Sequence, residues 1–215
     1  MKASPSSLLS RTGALDPSAV GPAACFLSSD ELLAGLRGQV PAQAPTRPLP
    51  NGPRPFITLT YAQSLDGCIT LKRGAPLAVS GPQSLKMTHY LRAWHDAIAV
   101  GIRTVLADDP SLTVRLVEGP HPQPLVLDSG LRMPMRAKLL NDRERTLWLA
   151  TTERGEAKRA RIKKTGARIF GLPADRRGWV ALPPLLEALA GAGIKSLMVE
   201  GGSRVLSSFL KAQLV

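Results

Sequence analysis

Cysteine is scarce in this sequence. The two present, Cys25 and Cys68, lie far apart in unrelated contexts, which argues against a disulfide framework and a cysteine-based zinc site and fits a reducing cytoplasm. Aromatic residues are also few, 4% of 215, so the core has to be made mainly of Leu, Val, Ile and Ala. No apolar run reaches the roughly 18 residues that a membrane span needs, and no membrane partner is expected. The opening residues are rich in Ser and Ala, with Lys2 and Arg11, yet they lack the continuous apolar stretch of a secretory signal. Also missing is the spaced G-x-G-x-x-G fingerprint of a dinucleotide turn.

Acidic residues are outnumbered, 16 Asp and Glu against 28 Lys and Arg, giving a net charge of +12 and a pI near 10.5. That balance raises the reading of a basic nucleic-acid-binding protein. Against it, the interleaved aromatics of a single-strand binder are absent, and no nucleic-acid partner is expected. The positive charge gathers between Arg132 and Arg177, above all in the run 154–164, RGEAKRARIKK. At helical spacing such a run is a solvated face, with phosphate-bearing ligands as its other use.

What is present describes one folded domain behind a leader. Hydrophobic residues make up 44% of the chain, enough for one sizeable core. Residues 1–52 read as an irregular leader with one short helix at 29–36, closed by a proline-dense linker through Pro41, Pro45, Pro48 and Pro50. The domain proper is expected over 53–215. Its first strand is the alternating run FITLTYA at 56–62, followed by an Asp66-Gly67 turn and a strand resuming at 68–71. A helix capped by Ser80 runs to Trp94, a buried strand covers 96–101, a helical turn 102–107, and 112–115 is extended. Strands at 124–128, 146–152, 167–170 and 194–199 then alternate with helices at 156–164 and 182–192. Alternation of this kind indicates βαβ crossovers and a largely parallel sheet.

The stretch 194–209, IKSLMVEGGSRVLSSF, carries most of the chemistry. An apolar strand stops at Glu200, Gly201 and Gly202, and a helix with Val205, Leu206 and Phe209 on one face begins at once. The glycines admit close approach of a bulky ligand, Ser203 is placed to cap the helix, and the free N–H groups of the first turn suit a phosphate. Other strand ends finish in small or hydroxyl residues: Gly101 before Thr104, Ser129 after Asp128, and Thr151-Thr152. In a parallel sheet these ends share one edge and could jointly line a cleft for a dinucleotide.

Several segments together resemble the pyrimidine reductases of riboflavin biosynthesis: FITLTYAQSLDG at 56–67, LRA at 91–93, GIRTVLADDPSLTVR at 101–115, VLDS at 126–129 and VEGG at 199–202. The resemblance implies an α/β, dihydrofolate-reductase-like fold, a mixed and mostly parallel sheet flanked by helices. It implies NADPH-dependent reduction of a ribosylamino-pyrimidine 5′-phosphate, with the ribose opened to a ribityl chain. By motif, Thr104, Asp108, Ser129 and the turn Gly201, Gly202, Ser203, Arg204, Val205 and Leu206 resemble cofactor contacts. Arg92, Leu112, Arg115 and Glu200 resemble substrate contacts. The planar forks of Arg92 and Arg115 suit a 5′-phosphate, and Glu200 can accept from pyrimidinone N–H groups. Asp66 either shapes its turn or sits near the reacting carbon; it and Glu200 are the candidate catalytic residues. Arg154, or a neighbouring Lys or Arg at that strand end, is a candidate for the 2′-phosphate of NADPH. His89, His95 and His121 carry no motif support and read as structural.

The departures from the family pattern also carry expectations. Thr60 stands where many members have Lys, in the form of the stand-alone branch. There is no H-x-E with P-C-x-x-C, hence no zinc deaminase half. Family members continue with further strands after the helix that ends here at Val215, strands that complete the sheet and the homodimer. The chain is therefore expected to lack C-terminal strands and to be sticky at an unpaired edge. The other enzymatic reading is a dihydrofolate-reductase-like oxidoreductase acting on a pterin or pyrimidine.

Overall fold

The computed structural model describes residues 54–64, 67–69, 80–153 and 155–215. Asp66, Arg154, Cys25, the leader helix at 29–36 and part of the 68–71 strand therefore lie outside the described residues. Cys68 and Ile69 themselves are not in a strand.

Six strands and five helices alternate along the described residues: β1 (Phe56–Leu59), α1 (Pro82–Trp94), β2 (Ala97–Gly101), α2 (Ile102–Asp108), β3 (Gln123–Leu127), β4 (Trp148–Thr151), α3 (Glu156–Lys163), β5 (Arg168–Gly171), α4 (Leu182–Gly191), β6 (Ser196–Val199) and α5 (Ser203–Lys211). The strands form one sheet in the order β1-β6-β2-β3-β4-β5, and every neighbouring pair is parallel. The alternation expected from the sequence is thus what the chain forms. An isolated antiparallel bridge joins Ala174 to Val180 beyond β5.

Period-two alternation explains how the sheet is covered on both sides. From β2, Ile98 and Val100 face one layer with Val126, Leu149 and Met198, against Leu91 of α1, Val105 of α2 and Ile162 of α3. Ala97 and Ala99 face the other, with Leu125 and Val199 against Leu185, Leu186 and Leu189 of α4 and Leu206 and Phe209 of α5. Small alanines on that face let α4 and α5 lie close to the sheet. Phe209 is fully buried, and a side chain of that size contributes about 2–3 kcal/mol by leaving water. Register between β2 and β6 is set at their amino ends, where one Asp96 carboxylate oxygen accepts from the N–H groups of Lys195 and Ser196 at 2.8 and 2.9 Å.

Two helix starts differ from the sequence reading. Gly81 precedes α1 with Pro82 in its first turn, and Gly202 precedes α5; neither helix has a side-chain cap hydrogen bond. Ser80 and Ser203 therefore cap nothing. Pro82 explains the first case, because it lacks the N–H that a cap would satisfy and sets φ for the helix.

Candidate active site

The sheet order reverses at β6, which the chain inserts between β1 and β2. From the carboxyl end of β2 the chain continues into α2 in one core layer, and from that of β6 into α5 in the other. Connections leaving neighbouring strands to opposite faces open a crevice between them, the usual ligand site of an open α/β sheet. The cleft found there has a volume of about 1570 Å³. Thr104, Asp108, Arg92, Arg115, Ser129, Glu200, Gly201, Gly202, Ser203, Arg204 and Val205 all line it.

Close packing builds the bend between β6 and α5. A Cβ on Gly101 would stand 2.8 Å from Cγ2 of Val205, and one on Gly201 would stand 3.2 Å from Cβ of Val205. Those two glycines let α5 settle against the end of β2. Gly202 faces more open space, where a Cβ would find Thr104 Oγ1 no nearer than 3.8 Å. No acidic residue occupies the first turn of α5, and the first N–H groups of a helix have no acceptor within it.

Arg92 and Glu200 are bound to each other. The guanidinium Nε and Nη2 donate to the two carboxylate oxygens at 2.8 and 2.6 Å, while Nη1 donates to the Thr113 carbonyl at 2.9 Å. Three of the five guanidinium N–H groups are thus engaged, leaving two for a ligand. Arg115 differs. Its side chain is exposed and its Nη1 reaches only Thr113 Oγ1 at 3.5 Å. The two arginines that the sequence treats alike are a paired wall residue and an open cation.

His89 is a cleft residue that the sequence reading missed. It lies three positions before Arg92 on α1, on the same helix face, and that spacing was the available signal. Its Nδ1 accepts the Arg115 backbone N–H at 2.9 Å, so Nε2 carries the proton. Burial, with Arg92 and Arg115 beside it, pushes the His89 pKa down. A neutral imidazole results. His95 is structural: Nδ1 donates to the Leu91 carbonyl at 2.6 Å, Nε2 accepts from Thr58 Oγ1 at 2.7 Å, and burial lowers its pKa. His121 Nδ1 accepts from the Val114 N–H at 3.2 Å.

Other residues named from the sequence fall elsewhere. Leu112 and Leu206 are buried in the two core layers rather than along the cleft. Leu112 has φ +52°, and its carbonyl accepts from Arg145, whose guanidinium also reaches the carbonyls of Ser111 and Pro122 and the Asp142 carboxylate. Arg145 thereby holds the loop that presents Arg115. Thr151 and Thr152 both donate to the Ser129 carbonyl at 3.0 Å, tying β4 to the end of β3. Asp128 is fully buried, accepts from the Met133 N–H at 2.7 Å, and has its pKa raised by burial. Asp108 stands at the rim, where partial desolvation by the cleft wall pushes its pKa up.

The model of the RibD C-terminal domain family matches residues 55–215. The chain belongs to the RibD C-terminal domain family. This RibD C-terminal domain is 41% identical over 173 residues to a protein of Archaeoglobus fulgidus named 2,5-diamino-6-ribosylamino-4(3H)-pyrimidinone 5′-phosphate reductase, covering 75% of this chain and 77% of that one. A Debaryomyces hansenii protein of the same name is 39% identical over 181 residues, covering 76% and 72%. Among solved structures, Acinetobacter baumannii RibD matches with a TM-score of 0.65 at 27% identity, over 75% of this chain and 44% of that one. The riboflavin biosynthesis reductase of Saccharomyces cerevisiae matches with a TM-score of 0.58 at 33% identity, over 73% and 67%. The RibD C-terminal domain described here thus spans less than half of the RibD chain and about two thirds or more of the proteins named reductases. By name the Archaeoglobus and Debaryomyces proteins are pyrimidinone phosphate reductases and the Saccharomyces one is a riboflavin biosynthesis reductase, an oxidoreductase activity in each case.

Among the described residues no His, Cys, Asp and Glu cluster could hold a metal ion, and no helix is long and apolar enough to cross a membrane.

Proposed function

We propose that the domain 53–215 is an NADPH-dependent reductase of a ribosylamino-pyrimidine 5′-phosphate, yielding the ribityl product. The observation that carries this reading is the convergence, on one cleft at the sheet's reversal point, of an anion-ready helix start with a wall of His89, Arg92, Arg115 and Glu200. The names of the relatives supply the substrate class.

The residues present fit a dinucleotide. The Gly101–Val205 packing holds the bend of Gly201 and Gly202 where a diphosphate can meet the backbone N–H groups of α5. Thr104 and Asp108 from α2, Ser129 after β3 and Arg204 line the same cleft. When bound, the cofactor supplies the hydride for C1′ of the sugar.

The protein's own groups position and exclude. Arg115, open and unpaired with any carboxylate among the described residues, grips the 5′-phosphate, and the two remaining N–H groups of Arg92 assist. Glu200, fixed by Arg92, keeps lone pairs for the amino and ring N–H groups of the pyrimidinone. His89, held neutral, presents Nε2–H as a hydrogen-bond donor and locks the Arg115 backbone through Nδ1. Hydride delivered to C1′ would open the C1′–O4′ bond, with O4′ taking its proton from water in the cleft. A cytoplasmic homodimer belongs to the same reading.

NADPH oxidation measured with the deaminated and the undeaminated ribosylamino-pyrimidine phosphates, on this chain and on one extended at its carboxyl end, tests the proposal. Turnover of either substrate is the expected result. Failure of both chains on both substrates, with the chains folded, would overturn it.

A further inference from the structure

Arg177 and Arg204 come from different segments, and each sets its guanidinium against the same indole. Their Cζ atoms lie 5.5 and 5.6 Å from the Trp179 ring centroid. Both arginines and the ring line the cleft, and neither guanidinium has a carboxylate partner among the described residues. The carboxylate in the same turn, Asp175, is directed at its own backbone, accepting from the N–H groups of Arg177 and Trp179 at 2.8 and 2.9 Å. Two cations set against one ring in the cleft, neither with a carboxylate partner among the described residues, leave a place that a divalent anion completes.

The position of this pair is built rather than incidental. Val180 N–H donates to Ser129 Oγ at 3.0 Å, Asp175 N–H bonds to the Trp179 carbonyl at 2.6 Å, and Ala174 bridges to Val180. The segment bearing Arg177 and Trp179 is thereby docked on the end of β3, with Gly178 at φ +75° making the turn. Between β6, which carries the di-glycine bend, and β3 lie two strand steps, or about 10 Å along the sheet edge. A ligand whose diphosphate rests at the bend thus brings its adenosine end to Ser129 and Trp179.

We infer that Arg177 and Arg204, set over Trp179, form the subsite for the 2′-phosphate of the cofactor and select the phosphorylated dinucleotide over the unphosphorylated one; this rests on the reductase reading above. It assigns to these two residues the discrimination that the sequence suggested for Arg154 or a neighbouring Lys or Arg. The indole holds both guanidinium planes in place by cation–π contact, so little side-chain freedom is lost when the phosphate binds.

Calorimetric titration with adenosine 2′,5′-bisphosphate and with adenosine 5′-monophosphate tests the subsite without turnover. The native chain is expected to bind the bisphosphate at least about tenfold more tightly, the effect of one charge-assisted contact or more. Arg177→Gln and Arg204→Gln should each cut that preference roughly tenfold, with partial recovery in Arg177→Lys. Arg168→Gln, at a guanidinium stacked on Trp148 and Phe170 outside the cleft, should leave it unchanged. Circular dichroism checks the fold of each variant, and Arg177, exposed on a turn, gives a variant that does not depend on α5. A preference that survives both Gln substitutions overturns the subsite while leaving the reductase reading intact. Failure of the folded native chain to bind either nucleotide overturns both.

Discussion

Glu200→Gln is the substitution that separates a held carboxylate from a bystander. It removes one charge from a pair joined at 2.8 and 2.6 Å, in which the side chains of Arg92 and Glu200 are 11% and 27% exposed. Breaking a fully buried pair costs about 3–5 kcal/mol, and an exposed pair about 0–1. Glu200 is partly wetted by the cleft and Gln retains one acceptor, so a loss of about 1.5–3 kcal/mol follows. In a domain of this size that lowers the melting temperature by roughly 4–10 °C. A double-mutant cycle with Arg92→Met, followed by urea denaturation, should return a coupling energy of about 1–3 kcal/mol. The same Glu200→Gln protein should also bind the pyrimidine phosphate more weakly, because the amide presents an N–H to the ring donors. Additivity of the two substitutions within about 0.5 kcal/mol would refute the reasoning, since it would mean that the two groups do not hold each other in solution.

Arg115→Gln, in contrast, should change stability by less than about 0.5 kcal/mol and raise KM for the phosphorylated substrate; a large drop in melting temperature would count against its role as an open cation. Arg145→Gln removes the group that ties the carbonyls of Ser111, Leu112 and Pro122 to Asp142, and should cost about 2–4 kcal/mol with faster amide exchange across 111–122. Gly101→Ala pushes a methyl into Val205 and should cost about 1–3 kcal/mol, whereas Gly202→Ala, with open space around it, should cost under about 1; equal costs would contradict the packing. For pH, folded His89 and His95 have pKa values below the 6.5 of the unfolded chain. Above that value both states are neutral and pH has no effect through them, and as pH falls below it the unfolded chain takes up protons first, so stability declines. Urea midpoints at pH 7.5 and 5.5 should therefore differ more for the native chain than for His89→Asn, which keeps an acceptor for Arg115; equal differences would remove His89 from the account.

The architecture was legible because it rests on local, periodic information. The strand patterns read at 96–101, 124–128 and 194–199 and the helical stripes between them specify buried strands joined by crossovers, and a parallel sheet is the way such units cover both faces. The bend at Gly201 and Gly202 was legible for the same reason, since it is a strand end, a turn and a helix start in consecutive residues. Strand ends and helix starts were read a residue or more off in several places. At Ser80 and Ser203 a neighbouring glycine takes the cap position, and neither hydroxyl caps its helix.

What a side chain does across the cleft was not legible, because it depends on which distant segments the fold brings together. Nothing local to Arg92 distinguishes it from Arg115; only α1 passing beside the end of β6 delivers Glu200 to one and leaves the other open. The histidine with no motif becomes a cleft residue because the loop at 112–115 crosses α1. Trp179 and Arg204 are 25 positions apart in sequence, and meet only because β6 is inserted between β1 and β2 while the segment after β5 folds back onto β3. Periodicity along the chain determined the sheet and its covering helices. Strand order, a long-range property fixed by packing of both core layers at once, decided which charges meet.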